Sequence, residues 1–270
     1  MRRKNMLLSN FFSTAGMDNQ PVEYFFHIPH FIYLLFNIVL FIILWNILKR
    51  QTKKTQDKVI TIFLIIMLVL KYLGDALFIY EYYNIFPALS SYPHPFLDVD
   101  TFFSFQMCGV TNILLPLVIW FDIKKLKEFV FASSILGGLA VMMYPVTVLY
   151  GDAYILTLPK IRSITIHFFL LFIPLFLINR GDYKLNPKKW KDIFIGVSIL
   201  GLWATFGNFV IDKGDNNLYL MENPFLGGPI PIINSIPSGY HVIVFALLLP
   251  FAYYYIYKIA RLFEPSYKRS

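Results

Sequence analysis

The sequence predicts an all-α polytopic membrane protein, and three observations lead to that class. Hydrophobic residues make up 57% of the 270 residues, only 15% are charged, and the apolar residues occur in long runs. A soluble domain with a large core does not show this distribution. Each of seven runs is about 18–22 residues long, which suits a helix that rises about 1.5 Å per residue through a hydrocarbon layer of about 30 Å. We therefore predict a seven-helix transmembrane domain over residues 31–262.

Few residues interrupt the predicted spans. In chain order the spans cover roughly residues 31–48, 59–80, 101–121, 129–150, 161–179, 192–211 and 240–260. Lys71 and Asp75 lie in the second span, four residues apart on one helix face, so we expect them to neutralise each other. A proton or ion path is the functional alternative for this pair. The fourth span is interrupted by Gly137, Gly138 and Pro145.

Lysine and arginine are concentrated in alternate connections between the spans. They cluster in residues 49–58, 122–128 and 180–191 and at the C-terminal end, whereas residues 81–100 contain neither. The positive-inside rule places such basic loops in the cytoplasm. Residues 1–30 are then an outer N-terminal tail and residues 263–270 a cytoplasmic tail. The net charge of +8 is explained by this topology and by attraction to anionic lipids, and it does not indicate a nucleic-acid partner.

The third span carries a polar stripe at helical spacing, formed by Thr101, Ser104, Cys108, Thr111 and Asn112, with Gln106 on its flank. In hydrocarbon each such group is costly unless it finds a partner. We therefore expect the stripe to face the protein interior or a hydrated cavity, where function is concentrated. Cys108 is the only cysteine, so the chain forms no internal disulfide.

Cys108 and His167 are predicted to lie at nearly equal depth below the outer surface. Cys108 is about seven residues, or roughly 10 Å, inside the third span, and His167 is about five residues inside the fifth. A thiol acts as a nucleophile in its thiolate form, and an imidazole can take its proton and return it to the leaving group. The alternative is a cysteine that only packs and a histidine that only bonds between helices.

Several other polar residues are candidates for substrate binding. In acyl transfer, Gln106, Thr111 or Asn112 could donate a hydrogen bond to the developing oxyanion. Near the predicted outer surface, Asn208 and Asn217 could orient a lipid head group, or could only cap helices. His30 and His241, on the same side, are further candidates for substrate binding. The connection 214–239 is long and rich in Gly and Pro, and it is predicted to act as a lid. No metal or cofactor site is predicted.

Four segments resemble one family of membrane proteins. They are FSFQMCGVTNILLPLVIW, SSILGGLAVMMYP, IRSITIHFFLLFIPLFL and GDNNLYLMENPF. In this order they resemble segments of the bacterial YwaF-like proteins and of their eukaryotic relative, transmembrane protein 164, from about residue 30 to residue 262. Two positions depart from the pattern. Gln106 stands where a histidine is often expected, and Leu218 separates Asn217 from Tyr219.

The resemblance implies an integral membrane enzyme that forms an acyl-thioester from a phospholipid and transfers or hydrolyses the acyl group. Carried over to this sequence, Cys108 takes the role of nucleophile and His167 that of base. The implied substrate is a membrane phospholipid or another acyl lipid in the cell membrane. The bias toward Lys, Ile, Asn and Phe suggests a bacterial cytoplasmic membrane.

The alternative function is that of a small-solute transporter, or a transporter subunit, with a polar outer cavity. In that case the Lys71–Asp75 pair matters more than Cys108. The lack of an obvious inverted repeat weakens this interpretation.

Overall fold

The computed structural model describes residues 11, 26–84, 103–145, 156–211, 216–228 and 230–265. All regular secondary structure in these ranges is helical, as the sequence predicts. Seven α-helices follow one another: α1 (Ile28–Lys49), α2 (Lys53–Asn84), α3 (Met107–Trp120), α4 (Lys124–Met143), α5 (Leu158–Arg180), α6 (Trp190–Phe206) and α7 (Tyr240–Phe263). A π-helical turn, Gly207–Ile211, extends α6, and short 3-10 turns occupy Pro187–Lys189, Asn217–Tyr219 and Ile233–Ser235.

Six of the helices in the described ranges are long and apolar enough to cross a membrane. They are α1, α2 over Lys53–Leu77, α4, α5, α6 with its flanking turns, and α7. Helix α3 has 14 residues, so it is about 21 Å long and shorter than a hydrocarbon core of about 30 Å. The chain is therefore a multi-pass helical membrane protein. The side of the membrane on which each terminus lies remains a prediction.

The third predicted span, 101–121, begins later than expected. Its helix starts at Met107, after Gln106 in an extended conformation with φ −85° and ψ 145°. The hydroxyl of Ser104 accepts a hydrogen bond from the Gln106 N–H at 3.3 Å, a local contact that competes with helix formation. The indole N–H of Trp203 donates to the Ser104 carbonyl at 3.1 Å and so holds this turn open.

The predicted polar stripe is therefore only partly helical. Ser104 precedes α3, Thr101 lies outside the described residues, and Cys108 is the second residue of the helix. The expectation that Cys108 lies seven residues inside a helix is wrong. The prediction that Cys108 and His167 lie at equal depth therefore no longer follows from their positions along the helices.

Helix α4 is shifted toward the N-terminus relative to its predicted span, 129–150. It covers Lys124–Met143 and ends two residues before Pro145. A residue that precedes proline is disfavoured in the helical region, so Tyr144 terminates the helix. The other five helices match their predicted spans to within about six residues at each end.

The helices differ in how much of their surface is covered. In the apolar windows of α4 and α5, 67% of the residues are buried, against 17% in α1 and 11% in α7. The exposed side chains of α1 include Phe31, Leu35 and Ile42. Apolar surface of this extent is stable when it faces lipid rather than water. Helices α1 and α7 therefore offer the most lipid-facing surface.

The chain divides into two compact units. The first contains α1, α2, the end of α4 from Ala140, and α5 as far as Phe169. There Phe63 stacks on Phe169 with ring centroids 4.5 Å apart. The second contains α3, α4 as far as Leu139, the remainder of α5, and α6 and α7.

Candidate functional site

In the second unit, Cys108 lies in the first turn of α3. The first hydrogen bond of this helix joins the Val110 N–H to the Gln106 carbonyl at 3.0 Å. The N–H groups of Met107, Cys108 and Gly109 therefore lie outside the helical ladder, as the first N–H groups of any helix do. Together with the helix dipole they favour negative charge at this end. An oxyanion that forms beside Cys108 can accept hydrogen bonds from these groups.

Gly137 of α4 provides the space that the Cys108 thiol occupies. A β-carbon at Gly137 would lie 2.9 Å from the Cys108 sulfur, closer than such atoms normally approach. The thiol itself is partly buried. The glycine therefore allows α3 and α4 to approach each other at the position of the nucleophile candidate. In sequence, Gly137 is visible only as an interruption of a hydrophobic span.

Thr111 and Asn112 lie one turn beyond Cys108 and differ in their hydrogen bonding. The Thr111 hydroxyl donates to the carbonyls of Met107 at 2.9 Å and Cys108 at 3.2 Å, so it is engaged by its own helix. Asn112 is 2% exposed, and its side-chain oxygen has no hydrogen-bond partner among the described residues. A buried acceptor without a partner costs about 1–3 kcal/mol, which makes Asn112 the stronger candidate to bind a ligand.

The predicted binding residues Gln106, Asn208 and His241 converge on the backbone of residues 216–219. We call these three side chains the loop clasp. Gln106 accepts the Leu218 N–H at 3.0 Å and donates to the Asn216 carbonyl at 3.5 Å. Asn208 accepts the Asn217 N–H at 2.8 Å and donates to the Asn217 carbonyl at 3.2 Å. Asn217 thus joins the clasp through its main chain.

His241 completes the loop clasp through both ring nitrogens. Its Nδ1 accepts the Gly239 N–H at 3.0 Å, and its Nε2 lies 2.7 Å from the Tyr219 carbonyl. Because a carbonyl can only accept, Nε2 carries the proton. Leu218 and Tyr219 have φ of +52° and +55°, a strained conformation for residues other than glycine. The clasp stabilises this turn, and its role in substrate binding remains a prediction.

The predicted lid, residues 214–239, is folded on itself in its described part. The side-chain amide of Asn223 donates to the carbonyls of Ile233 and Ile236, each at 2.8 Å. Asn234 donates to the Gly228 carbonyl at 2.7 Å. These bonds give the connection an internal structure, and whether it opens and closes remains a prediction.

In the first unit, His30 joins two helices through the main chain. Its Nδ1 accepts the Phe26 N–H at 3.2 Å, and its Nε2 lies 3.3 Å from the Met142 carbonyl. Because the carbonyl accepts, the proton is on Nε2. His30 is 1% exposed and ties the start of α1 to the end of α4. Both ring nitrogens are therefore occupied in a structural contact.

His167 of α5 shows the opposite arrangement. Its Nδ1 lies 2.8 Å from the Ser163 carbonyl, one turn earlier in the helix, so Nδ1 carries the proton. The neutral ring then has its lone pair on Nε2, which can accept a proton. The ring is 9% exposed. This tautomer is the one that a general base with a fixed orientation requires.

The predicted Lys71–Asp75 pair forms in the first unit. The Lys71 ammonium lies 3.2 Å from the Asp75 carboxylate. The guanidinium of Arg162, from α5, lies over Gly74 of α2, where it occupies the space that a β-carbon would take. Arg162 is close enough to act electrostatically on both Asp75 and His167. The sequence identifies the Lys71–Asp75 pair, but it gives no sign that Arg162 joins it.

Comparison with known proteins supplies the family. The model of the TMEM164 family matches residues 25–257. The chain belongs to the TMEM164 family. No curated protein and no solved structure matches it. The match confirms the family resemblance inferred from the four segments and includes both Cys108 and His167, while the narrower YwaF-like assignment remains a prediction.

One buried polar group of this TMEM164-family chain was missed in the sequence. Glu128, fully buried near the start of α4, accepts the Tyr183 hydroxyl at 2.6 Å and the Asn186 N–H at 2.8 Å. Burial, followed by the Glu128 carboxylate, raises the pKa of Tyr183 above its usual range. The only signal in the sequence is a single acid within the basic stretch KKLKEF.

The described residues contain no group of three or more His, Cys, Asp or Glu side chains that could hold a metal ion. His27 is exposed, and His94 lies outside the described residues.

Proposed function

We propose that this protein is an integral membrane acyltransferase or hydrolase of lipid esters, with Cys108 as nucleophile and His167 as general base. The observation that carries the proposal is the position of the only thiol, in the first turn of α3 beside the bare backbone of Gly137. Membership of the TMEM164 family and the open Nε2 of His167 support it. The chemistry requires the thiol and Nε2 to come within hydrogen-bond reach.

The first half of the reaction forms a thioester. His167 Nε2 takes the proton of the Cys108 thiol as the sulfur attacks the ester carbonyl of a lipid. The carbon–oxygen bond of the tetrahedral intermediate then breaks, and the departing alkoxide receives the proton from His167. A lysolipid leaves, and the acyl group remains on Cys108. In the second half, a lysolipid hydroxyl or water attacks the thioester, His167 takes its proton, and the sulfur recovers that proton as it departs.

Stabilisation of the oxyanion comes from the start of α3. The N–H groups of Cys108 and Gly109 lie outside the helical ladder, next to the sulfur that attacks. Fixed donors of this kind lower the barrier without reorganisation during the reaction. Asn112, with an oxygen that lacks a partner among the described residues, can accept a hydroxyl of the incoming lipid. The substrate is a membrane phospholipid or another acyl lipid, and the composition favours a bacterial cytoplasmic membrane.

Formation of the acyl-enzyme tests the proposal. The purified protein is incubated in detergent with a phospholipid that carries a labelled acyl chain, and hydroxylamine-sensitive label on Cys108 is measured by mass spectrometry. We expect label on the wild type, none on Cys108→Ala and little on His167→Gln. His27→Gln, at an exposed histidine, is the matched control. Acyl transfer at the wild-type rate by Cys108→Ala would exclude this mechanism.

A second experiment measures proximity directly. Because Cys108 is the only cysteine, His167→Cys creates a protein with two thiols. We expect dibromobimane, which becomes fluorescent when it joins two nearby thiols, to cross-link this variant. Leu202→Cys, at a position 72% exposed, is the control and should not react in this way. Equal fluorescence from both variants, or from neither, would contradict the proposed pair.

Solute transport is the remaining alternative, and it depends on the Lys71–Asp75 pair rather than on the thiol. Uptake into proteoliposomes that is lost in Lys71→Ala and unchanged in Cys108→Ala would favour it.

A further inference from the structure

We propose that Lys71, Asp75 and Arg162 form a binding site for the phosphate of a phospholipid head group. Lys71 pairs with Asp75 on α2, and the guanidinium of Arg162, from α5, lies against Gly74, the residue that precedes this carboxylate. The site lies wholly within the first unit and involves neither Cys108 nor the loop clasp. Its use in positioning an ester for reaction rests on the proposed function, whereas the binding of phosphate does not.

The cluster lies toward the membrane interface opposite the basic connection 49–58. Helix α2 begins at Lys53, within this connection, whose last residue is Lys58. At about 1.5 Å per residue, Lys71 and Asp75 are about 20 and 26 Å beyond Lys58 along the helix. A hydrocarbon core is about 30 Å thick, so Asp75 lies near the opposite interface and Lys71 one turn inside it. Arg162 lies near the start of α5, and its contact with Gly74 brings it to the same level.

The charges of the cluster are not balanced. Lys71 is 7% exposed and pairs with Asp75 at 3.2 Å. Arg162 makes no hydrogen bond or ion pair with any residue in the described part of the chain. Arg162 is partly exposed, so its guanidinium can be reached by a ligand from outside the protein. A phosphate suits the Arg162 guanidinium, because its oxygens accept two parallel N–H bonds from arginine.

Gly74 positions the guanidinium. A β-carbon there would overlap Nη1 and Cζ of Arg162, so any other residue would displace the end of the arginine side chain. An interfacial cation that only seeks water extends away from the protein along its apolar neighbours. Arg162 instead lies against the backbone of α2 at Gly74, the residue before Asp75. This arrangement is typical of a binding site rather than of a residue reaching for solvent.

The position of the cluster also indicates the depth at which the His167 ring lies in the membrane. His167 follows Arg162 by five residues, or about 8 Å along α5 toward the middle of the helix. The ester carbonyls of a phospholipid lie on the hydrocarbon side of its phosphate. A phosphate bound at Arg162 therefore brings the ester bonds toward the depth of the His167 ring, which lies within electrostatic reach of Arg162. The site would select phospholipids over neutral acylglycerols.

Binding to the wild-type protein tests the inference without turnover. The full chain in detergent is titrated with a dialkyl ether phosphatidylglycerol, which has no ester to cleave, and bound lipid is measured by native mass spectrometry. The matching dialkylglycerol lacks only the head group. We expect the phospholipid to bind at least about tenfold more tightly, as charge-assisted hydrogen bonds imply. Equal affinity for the two lipids would overturn the proposal.

Variants locate the site. Arg162→Gln should weaken phospholipid binding about tenfold, and Gly74→Ala should weaken it without changing any charge. Gly201→Ala, where a β-carbon meets nothing within 4 Å, and Arg261→Gln, at an exposed arginine, are the matched controls and should bind as wild type. Wild-type binding by both Arg162→Gln and Gly74→Ala would place the lipid elsewhere.

Asp75→Asn separates binding from a purely structural role. If phosphate binds, removal of the competing carboxylate should tighten phospholipid binding. If the three residues only stabilise the fold, the variant should lower the unfolding temperature and leave binding unchanged, which would count against the site. Binding of millimolar inorganic phosphate, without any preference for the phospholipid over the dialkylglycerol, would assign the cluster to free phosphate and exclude the head group.

The two proposals can fail separately. Phospholipid selectivity that depends on Arg162, without any acyl-enzyme at Cys108, would leave this site intact and remove the proposed function. If the wild type transfers acyl groups and Arg162→Gln binds lipid as well as the wild type does, the proposed function stands and the phosphate site is excluded.

Discussion

His241 in the second unit and His167 in the first are both buried histidines that contact a main-chain carbonyl, yet only one retains a free proton acceptor. His241 uses Nε2 for the Tyr219 carbonyl and Nδ1 for the Gly239 N–H. His167 uses Nδ1 for the Ser163 carbonyl, which leaves the lone pair of Nε2 available. His30 has the same arrangement as His241, with both ring nitrogens in hydrogen bonds to the main chain. The nitrogen that meets the carbonyl, rather than burial alone, therefore distinguishes a structural histidine from a candidate base.

The largest effect should come from exchanging glutamine for each histidine. His167→Gln should lower the rate of acyl-enzyme formation by about 100-fold or more, because the proton acceptor is lost, with little change in unfolding temperature. His241→Gln should lower the unfolding temperature, because the loop clasp loses its contact with Tyr219. Single-turnover kinetics and thermal unfolding measure both. A His241→Gln variant with normal stability and a reduced rate would contradict the assignment of His241 as a structural histidine.

Removal of the Asn208 side chain from the loop clasp should also lower the stability of the protein. Asn208→Ala leaves the buried Asn217 N–H without the acceptor that now lies 2.8 Å away, so we expect a loss of about 2 kcal/mol in the free energy of unfolding. Denaturant titration of the detergent-solubilised protein gives this value. Asn46→Ala, at an exposed asparagine that bonds only within α1, should change it much less. Similar losses for the two variants would show that the clasp contributes little.

A smaller effect is expected beside the nucleophile candidate. Gly137→Ala places a methyl group where the Cys108 sulfur now lies, which should slow acyl-enzyme formation about tenfold while the thiol remains present. Gly201→Ala is the control, because a β-carbon at this helix position has open space around it. If the two variants react equally fast, the thiol does not need the position that Gly137 gives it.

The smallest effect concerns Tyr183 and Glu128. Burial, then Glu128, raises the pKa of Tyr183, so the unfolded chain loses this proton near its usual pKa of about 10 while the folded chain retains it. Stability should therefore fall as the pH rises above about 10. Tyr183→Phe should reduce this slope and cost about 1 kcal/mol at neutral pH, since Glu128 loses one donor. Identical pH profiles from 8 to 11 for the two proteins would contradict this assignment.

Local patterns in the sequence determined the class of this protein and much of its architecture. Runs of apolar residues long enough to cross a bilayer predict the helices, because each turn of a helix in lipid must satisfy its own backbone. The Lys71–Asp75 contact follows from a spacing of four residues. The four segments that resemble the family supply Cys108 and His167, which lie within the confirmed match.

Tertiary structure decided what each candidate residue can do. Helix α3 begins at Met107 in part because Trp203, 99 residues away, bonds the Ser104 carbonyl, and Gln106 is held by Leu218, 112 residues away. The protonated nitrogens of His30 and His241 depend on carbonyls elsewhere in the chain, and Arg162 meets Gly74 only because two helices pack together. Periodicity within a segment carries no information about such partners. They are fixed only when distant parts of the chain come into contact.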